Sequence, residues 1–298
     1  MELAIKVDVD TEQGTRIGVP QLLTLFAELN ISATFLFSLG PDNTGRAIKR
    51  IFRPGFLSKI RRTKVMSNYG IKTLLYGVLI PGPNIAKKNA AIMRLTHALD
   101  HEVGIHCYDH IRWQDHVHSM SATEVQKEFE KSLNSFENVF GFPAKTAGAA
   151  GWQANTFSFA AYDKARFLYA SDTRGYRPFY PRIGDTVFKT LQVPSTLPTL
   201  DEVLGLPGNE LKNLTDFYLS QLQPQQANIL TIHAELEGMN YLSWFREFLL
   251  AVQARNISIV KTAKIAENAL KSEKDIPICG VIQASVPGRS GKLAVQEN

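Results

Sequence analysis

The stretch Leu3-Ala4-Ile5-Lys6-Val7-Asp8-Val9-Asp10 decides how the rest of the chain is read. Its side chains alternate with period 2, so Leu3, Ile5, Val7 and Val9 share one face of a strand and Lys6, Asp8 and Asp10 the other. The two carboxylates stand about 7 Å apart along that strand. A solvated edge strand is the plain alternative. Against it, Asp is depleted in strands, and two on one face repel each other unless a cation lies between them. The spacing suits one carboxylate that ligates a divalent metal beside another that takes a proton from water.

A second polar cluster lies a hundred residues on, in Glu102-Val103-Gly104-Ile105-His106-Cys107-Tyr108-Asp109-His110. It begins as a strand and then turns. If the chain coils after His106, the i, i+4 spacing puts His106 and His110 on one face, as in zinc sites of other hydrolases. Two imidazoles and one carboxylate leave an open coordination position, which a catalytic metal needs and a structural one lacks. Alone, H-x-x-x-H is a weak signal; beside an Asp-x-Asp strand end it points to a metal centre. Cys107 falls between the two His with its side chain directed elsewhere, a packing position.

The third segment is Ala227-Asn228-Ile229-Leu230-Thr231-Ile232-His233-Ala234-Glu235, again alternating, with Thr231, His233 and Glu235 on one face. A His with an ordinary pKa near 6.5 at the polar end of a strand suits a general acid for a departing amine. The bland reading of His233 is a core His bonded to a neighbour.

Between these segments strands and helices alternate. Helices are expected over Pro20 to Leu29, from the Ser121-x-x-Glu124 capping box through Phe136, near Glu210 to Leu222, and over Leu242 to Ala254. Strands are expected over Ala33 to Phe37, near Thr146, and over Phe167 to Ser171, Leu191 to Val193, Ile229 to His233 and Ile257 to Val260. Repeated β-α units imply a parallel sheet with outer helices, and polar groups at strand ends imply a barrel. With 298 residues and 44% hydrophobic content, the chain can bury one large core. Two cysteines, Cys107 and Cys279, give no disulfide framework and fit a reducing compartment. Met1-Glu2-Leu3-Ala4-Ile5-Lys6 runs directly into a strand with no secretory signal, so a cytoplasmic location is expected. The last dozen or so residues, rich in Gly, Ser and Lys, read as a loose tail.

The net charge of +5 hides an asymmetry. Asn43 to Leu99 holds twelve of the 33 basic residues and no Asp or Glu, which leaves 21 basic against 28 acidic residues elsewhere. Within it Arg46, Lys49, Arg50, Arg53, Lys59, Arg61, Arg62 and Lys64 interleave with Ile48, Ile51, Phe52, Phe56, Leu57, Ile60 and Val65. That mixture reads as a basic amphipathic helix broken at Pro54-Gly55, of the kind that lies on anionic membrane surfaces. Each basic group near such a surface contributes about 1 kcal/mol. The apolar run Ile71 to Ile80 is too short to span a bilayer, which takes about 20 residues. A solvated basic face is the alternative; nucleic-acid binding is disfavoured because no binding motif accompanies the charge.

The three polar segments resemble those of the polysaccharide deacetylase family, the NodB-homology fold. The resemblance narrows through Val7-Asp8-Val9-Asp10-Thr11, Gly14-Thr15-Arg16, Ser38-Leu39-Gly40-Pro41-Asp42-Asn43, Ala149-Ala150-Gly151-Trp152, Ser171-Asp172-Thr173-Arg174-Gly175, Pro194 to Thr199 and Thr231-Ile232-His233-Ala234-Glu235. These look like the 4-deoxy-4-formamido-L-arabinose-phosphoundecaprenol deformylases, over residues 1 to about 270. The resemblance implies an α/β fold, a distorted (β/α)7 barrel of residues 1–270 with the basic, apolar segment 43–99 inserted and a C-terminal extension over 271–298. It implies Asp8 as catalytic base, Asp10, His106 and His110 as ligands of one divalent ion (zinc, manganese, cobalt or iron), and His233 as acid. One departure stands out: where the wider family has an Arg that pairs with the catalytic Asp, this chain has Ala147. Arg174, in a polar strand end with Ser171 and Asp172, is the first candidate to orient Asp8 or substrate, and Lys6 the second.

The activity so implied is hydrolysis of the N-formyl group of undecaprenyl-phosphate-linked 4-deoxy-4-formamido-L-arabinose, giving formate and the 4-amino-4-deoxy-L-arabinose lipid used in lipid A modification and polymyxin resistance. The implied place is peripheral, on the cytoplasmic face of the inner membrane, with no transmembrane helix, no nucleic acid and no obligatory protein partner. Two other readings compete. A polysaccharide or other amidosugar deacetylase would keep the metal site but carry an export signal and lack the basic segment. A non-catalytic protein that binds anionic membranes would need only that segment.

Overall fold

The structure is a computed structural model that describes residues 1–47 and 73–297. Its strands are β1 (Glu2–Val9), β2 (Thr34–Ser38), β3 (Glu102–Cys107), β4 (Thr146–Ala147), β5 (Tyr169–Ala170), β6 (Tyr180–Ile183), β7 (Thr186–Val187), β8 (Leu191–Gln192), β9 (Asn228–His233), β10 (Ser258–Val260), β11 (Ile278–Ser285) and β12 (Lys292–Gln296). The helices that matter here are α1 (Val19–Glu28), α2 (Ile85–Ala98), α3 (His110–His116), α4 (Ala122–Phe140) and α5 (Leu242–Ala254).

Eight strands form one parallel sheet, ordered β10-β1-β2-β3-β4-β5-β8, with β9 also paired to β1. Lys6 to Val9 face Thr34 to Phe37 of β2, and Leu3 to Asp8 face Asn228 to His233 of β9. Between β8 and β9 the backbone N–H groups of Thr196 and Leu197 both donate to the Ile229 carbonyl, at 3.2 and 3.1 Å. The sheet thereby curls into the expected distorted barrel.

The alternation of β1 is resolved into two environments. Leu3, Ile5, Val7 and Val9 are fully buried against Phe26 of α1, Phe35 and Phe37 of β2, and Phe245 and Phe248 of α5. Ala4 packs instead with Tyr169, Leu191 and Ile229, and Lys6 and Asp8 continue that second face inside the barrel. Both faces are covered, so a parallel strand can be apolar on one side and hold charges on the other without meeting bulk water. α4 starts at the Ser121 box, in which Ser121 and Glu124 bond reciprocally, and ends at Gly141 with φ +79°.

Two expectations need correction. The C-terminal residues are not a loose tail: β11 and β12 form an antiparallel hairpin within a second sheet, ordered β12-β11-β6-β7. Leu293 and Ala294 are buried, and the Arg174 backbone exchanges bonds with Ala294 and Gln296 at 2.9 and 2.8 Å. Gly288 and Gly291, whose presence suggested disorder, have φ of +78° and +85° in the turn of that hairpin. Nor is all of 43–99 an insertion, because α2 buries Ile85, Ala86 and Met93 in the barrel core between β2 and β3. The proposed helix broken at Pro54-Gly55 lies outside the described residues.

Candidate active site

β1 and β3 deliver their polar ends to the same rim. His106 is the penultimate residue of β3 and His110 opens α3, which Asp109 caps by accepting the Arg112 N–H at 3.0 Å. Asp10 Oδ1 lies 3.2 Å from His106 Nε2 and 3.4 Å from His110 Nε2. One ligand atom from each of the three falls within 4.8 Å of the others. His106 Nδ1 is 2.7 Å from the Gly148 carbonyl, which can only accept, so Nδ1 carries a proton and Nε2, on the side of Asp10, is the nitrogen placed to ligate a metal.

The buried Asp10 Oδ1 has no hydrogen-bond partner among the described residues. Burial alone would raise the Asp10 pKa, but the imidazoles of His110 and His106 outweigh it and hold the carboxyl below its usual range. Burial would likewise discharge His106, yet Asp8 and Asp10 raise its pKa. Each group is thus held by a field that a cation among them satisfies, and the two-nitrogen, one-oxygen donor set fits a divalent metal with an open position.

Asp8 stands beside this triad without joining it. Its Oδ1 is 4.0 Å from His106 Nδ1 and unpartnered among the described residues, while Oδ2 lies 3.5 Å from Lys6 Nζ. Lys6 is fully buried, 3.4 Å from the Ser171 carbonyl and 5.3 Å from the centre of the Trp152 ring. Burial lowers its pKa, with Asp8 and Asp172 acting against that. A Cβ at Gly148, next to Ala147, would stand 3.5 Å from Lys6 Nζ. The lysine of β1 therefore brings its charge to the space beside Ala147.

Arg174 does not contact Asp8. Its Nη1 donates to both oxygens of Glu202 at 2.7 and 2.8 Å, Nη2 to the Leu197 carbonyl at 2.9 Å, and Nε to the Ser195 carbonyl at 3.2 Å. Asp172 lies behind Lys6, where it accepts from the Ala149 N–H at 2.6 Å and from Gln192 at 3.2 Å, and burial pushes its pKa up to about 6. The sequence placed both residues in a polar segment after a strand but did not identify their partners.

His233 is the register partner of Asp8 across β1 and β9. Its backbone N–H donates to Glu237 Oε2 at 2.9 Å, and its Nδ1 is unpartnered among the described residues. Burial pushes the Glu237 pKa up to about 8. Glu235 clamps the loop after β1, because its Oε1 accepts the Asp10 N–H at 3.1 Å and the Thr11 N–H at 2.8 Å. A Cβ at Gly14 would stand 2.0 Å from that oxygen, so only glycine leaves room for the clamp. The two glutamates had no assigned role in the sequence; the only sign was carboxylates directly after an apolar strand.

Of the eight basic residues expected at a lipid surface, Arg46 is described; Lys49, Arg50, Arg53, Lys59, Arg61, Arg62 and Lys64 lie outside the described residues. Arg46 donates from Nε to the Gly77 carbonyl at 3.0 Å and lines a cavity of about 550 Å³ with Ile111, Arg112, His116 and Met120. Just beyond Gly77, Val78, Leu79 and Ile80 are 53, 76 and 40% exposed. No helix among the described residues is long and apolar enough to cross a membrane.

No protein-family model matches the chain. It is 35% identical over 295 residues to a protein of Shewanella sediminis (strain HAW-EB3) described as "probable 4-deoxy-4-formamido-L-arabinose-phosphoundecaprenol deformylase ArnD", covering 99% of this chain and 94% of that one. A protein of the same description from Wigglesworthia glossinidia brevipalpis is 34% identical over 291 residues, 95% of this chain and 98% of its own. Among solved structures, a Mycobacterium smegmatis protein described as a polysaccharide deacetylase superposes with a TM-score of 0.65 at 18% identity, covering 96% of this chain and 94% of that one. The fold is shared with it.

Proposed function

This amide-bond hydrolase belongs to the 4-deoxy-4-formamido-L-arabinose-phosphoundecaprenol deformylase family, and we propose that it removes the N-formyl group of that undecaprenyl-phosphate-linked sugar, releasing formate and a 4-amino sugar lipid. One observation carries the reading: Asp10, His106 and His110 gather three ligand atoms within 4.8 Å, with the unengaged Asp8 oxygen beside them. A divalent ion held there supplies a Lewis acid for the formyl carbonyl and lowers the pKa of water. The donor set suits zinc, manganese, cobalt or iron and does not choose between them.

The remaining roles belong to the chain. Asp8 takes the proton from the attacking water through its free Oδ1, while Lys6 holds Oδ2. His233 gives a proton to the sugar nitrogen as its bond to the formyl carbon breaks, without which an amide nitrogen leaves very poorly. Because Asp8 and His233 are register partners on adjacent strands, base and acid are set by the sheet rather than by a loop. The amine so uncovered is a cation suited to masking lipid A phosphates. Peripheral attachment to an anionic membrane is supported by the exposed Val78, Leu79 and Ile80 beside Arg46 and by the basic run that follows it in sequence.

The test is formate release from the formamido-arabinose lipid, with and without a chelator. Release that stops on chelation and returns with a divalent metal is expected; no release with metal added overturns the assignment. Faster hydrolysis of an acetamido sugar than of the formamido sugar would select the deacetylase reading instead.

A further inference from the structure

The turn between β11 and β12 carries Arg289, whose guanidinium reaches back to the rim that holds Asp10. The backbone is shaped for that approach: a Cβ at Gly288 would stand 2.1 Å from the Glu202 carbonyl oxygen, and its φ of +78° disfavours any other residue. Arg289 stacks over the Trp152 ring at 4.5 Å and donates from Nη1 to Glu202 Oε1 at 3.2 Å. Lys6 and Arg174 approach the same ring at 5.3 and 5.2 Å.

The three cations are not equivalent. Lys6 faces Asp8, and Arg174 takes both oxygens of Glu202 at 2.7 and 2.8 Å and two carbonyls besides. Arg289 makes one longer side-chain bond, and its Nε and Nη2 have no hydrogen-bond partner among the described residues. Its side chain is 11% exposed, so the donor edge left over is in a recess and not on the open surface. Burial works against its charge, but Asp201 and Glu202, with Asp10 beyond them, outweigh that, which puts Arg289 within electrostatic reach of the candidate metal ligand.

We propose that Arg289 binds the phosphate attached to the sugar of the substrate, an inference that rests on the deformylase reading. A formamido sugar on a phosphodiester presents an anion one pyranose ring away from its amide. A guanidinium with a free planar edge is the side chain whose geometry fits phosphate oxygens. Arg289 is thus a specificity residue that fixes the sugar by the end opposite the reacting bond.

The experiment compares formate release by wild type, Arg289→Gln and Arg289→Lys on two substrates: 4-deoxy-4-formamido-L-arabinose linked through phosphate to a short prenyl chain, and its methyl glycoside. Arg289→Gln should raise KM on the phosphate substrate about thirtyfold, the effect of one lost charge-assisted hydrogen bond, with kcat nearly unchanged. The methyl glycoside should be processed equally by both, and Arg289→Lys should recover part of the loss. An equal loss on both substrates, or a loss confined to kcat, overturns the proposal in favour of a role at the formyl group or in packing. If wild type releases formate from neither, the deformylase reading fails, and calorimetric titration with L-arabinose 1-phosphate decides separately. Weaker binding by Arg289→Gln supports the site; equal binding overturns it, as does inorganic phosphate bound as tightly as the glycosyl phosphate.

Discussion

The two ends of the barrel use similar residues to opposite purpose. Where β2, β3 and β5 begin, most polar groups satisfy one another, the Thr146 and Thr262 hydroxyls apart: Glu102 Oε2 accepts from the Thr34 hydroxyl at 2.6 Å, the Tyr169 hydroxyl at 2.8 Å and the Ala263 N–H at 3.1 Å. His101 accepts the Ala33 N–H at 3.1 Å, and Asn228 closes three backbone carbonyls and one N–H. Where the strands end, Asp8 Oδ1, Asp10 Oδ1, His233 Nδ1 and Glu235 Oε2 are buried without a hydrogen bond among the described residues. A buried polar atom without a partner costs about 1–3 kcal/mol, so four at one rim mark a place kept ready for something that arrives later. The better satisfied end holds the barrel together; the unsatisfied end is where the proposed chemistry is placed.

Substitutions can break this contrast, and the largest effect belongs to the unsatisfied rim. Asp8→Asn should lower turnover about a thousandfold with bound metal unchanged, whereas His106→Ala should lose both; metal analysis beside a formate assay reads the two. A metal-free Asp8→Asn protein would mean that Asp8 and Asp10 have exchanged roles. Lys6→Met comes next, with turnover down about a hundredfold and metal retained, because Asp8 loses the charge that holds Oδ2. An unchanged turnover would free Lys6 of any part in orienting the base.

Metal removal should lower the melting temperature by several degrees, since a ligand at a hundred times its Kd contributes about 2.7 kcal/mol. Calorimetric scans with and without chelator test this, and the drop should be absent in His106→Ala. At the other end Glu102→Ala should cost about 2–3 kcal/mol of stability and leave turnover per folded molecule unchanged. Denaturant titration beside the formate assay separates the two ends, and a loss of turnover would show that they are coupled.

The smallest effect is one of pH. Burial lowers the His101 pKa to about 4 from an ordinary 6.5, so the folded state holds His101 neutral over a range in which the unfolded chain binds a proton. That stability is fully present above pH 6.5 and is lost as pH falls from 6.5 through 4. His101→Gln should flatten the slope of unfolding free energy against pH in this window by about one proton. An identical slope would place the acid sensitivity elsewhere.

Much of this was legible in the residues. The alternation of β1 announced two faces, and His106 with His110 announced a turn directly after a strand. What the period could not tell was which cation a carboxylate meets, because alternation fixes the face of a side chain and not the neighbour that a curled sheet brings to it. Hence Arg174 was favoured over Lys6, though Glu202 had already claimed it. The C-terminal hairpin was misread for a different reason: Gly288 and Gly291 count toward a disordered composition, while physically they are the two positive-φ residues that a tight turn requires. Glu235 was placed on the polar face of its strand without a role, and Glu237 escaped notice because the chain leaves β9 into a π-helical turn over Leu236–Asn240, which follows neither the period of a strand nor that of an α-helix.

The position of β1 has a consequence for how the molecule is made. Its neighbours β9 and β10 lie more than 200 residues downstream of it in the chain. At roughly 5–20 residues per second of synthesis, the nascent segment waits many seconds with one edge open, its row of aliphatic side chains in need of shelter. Asp8 and His233, the proposed base and acid, therefore meet only once β9 has been made, and a chain cut short before Asn228 would keep Asp10, His106 and His110 in its sequence but lack the proposed acid.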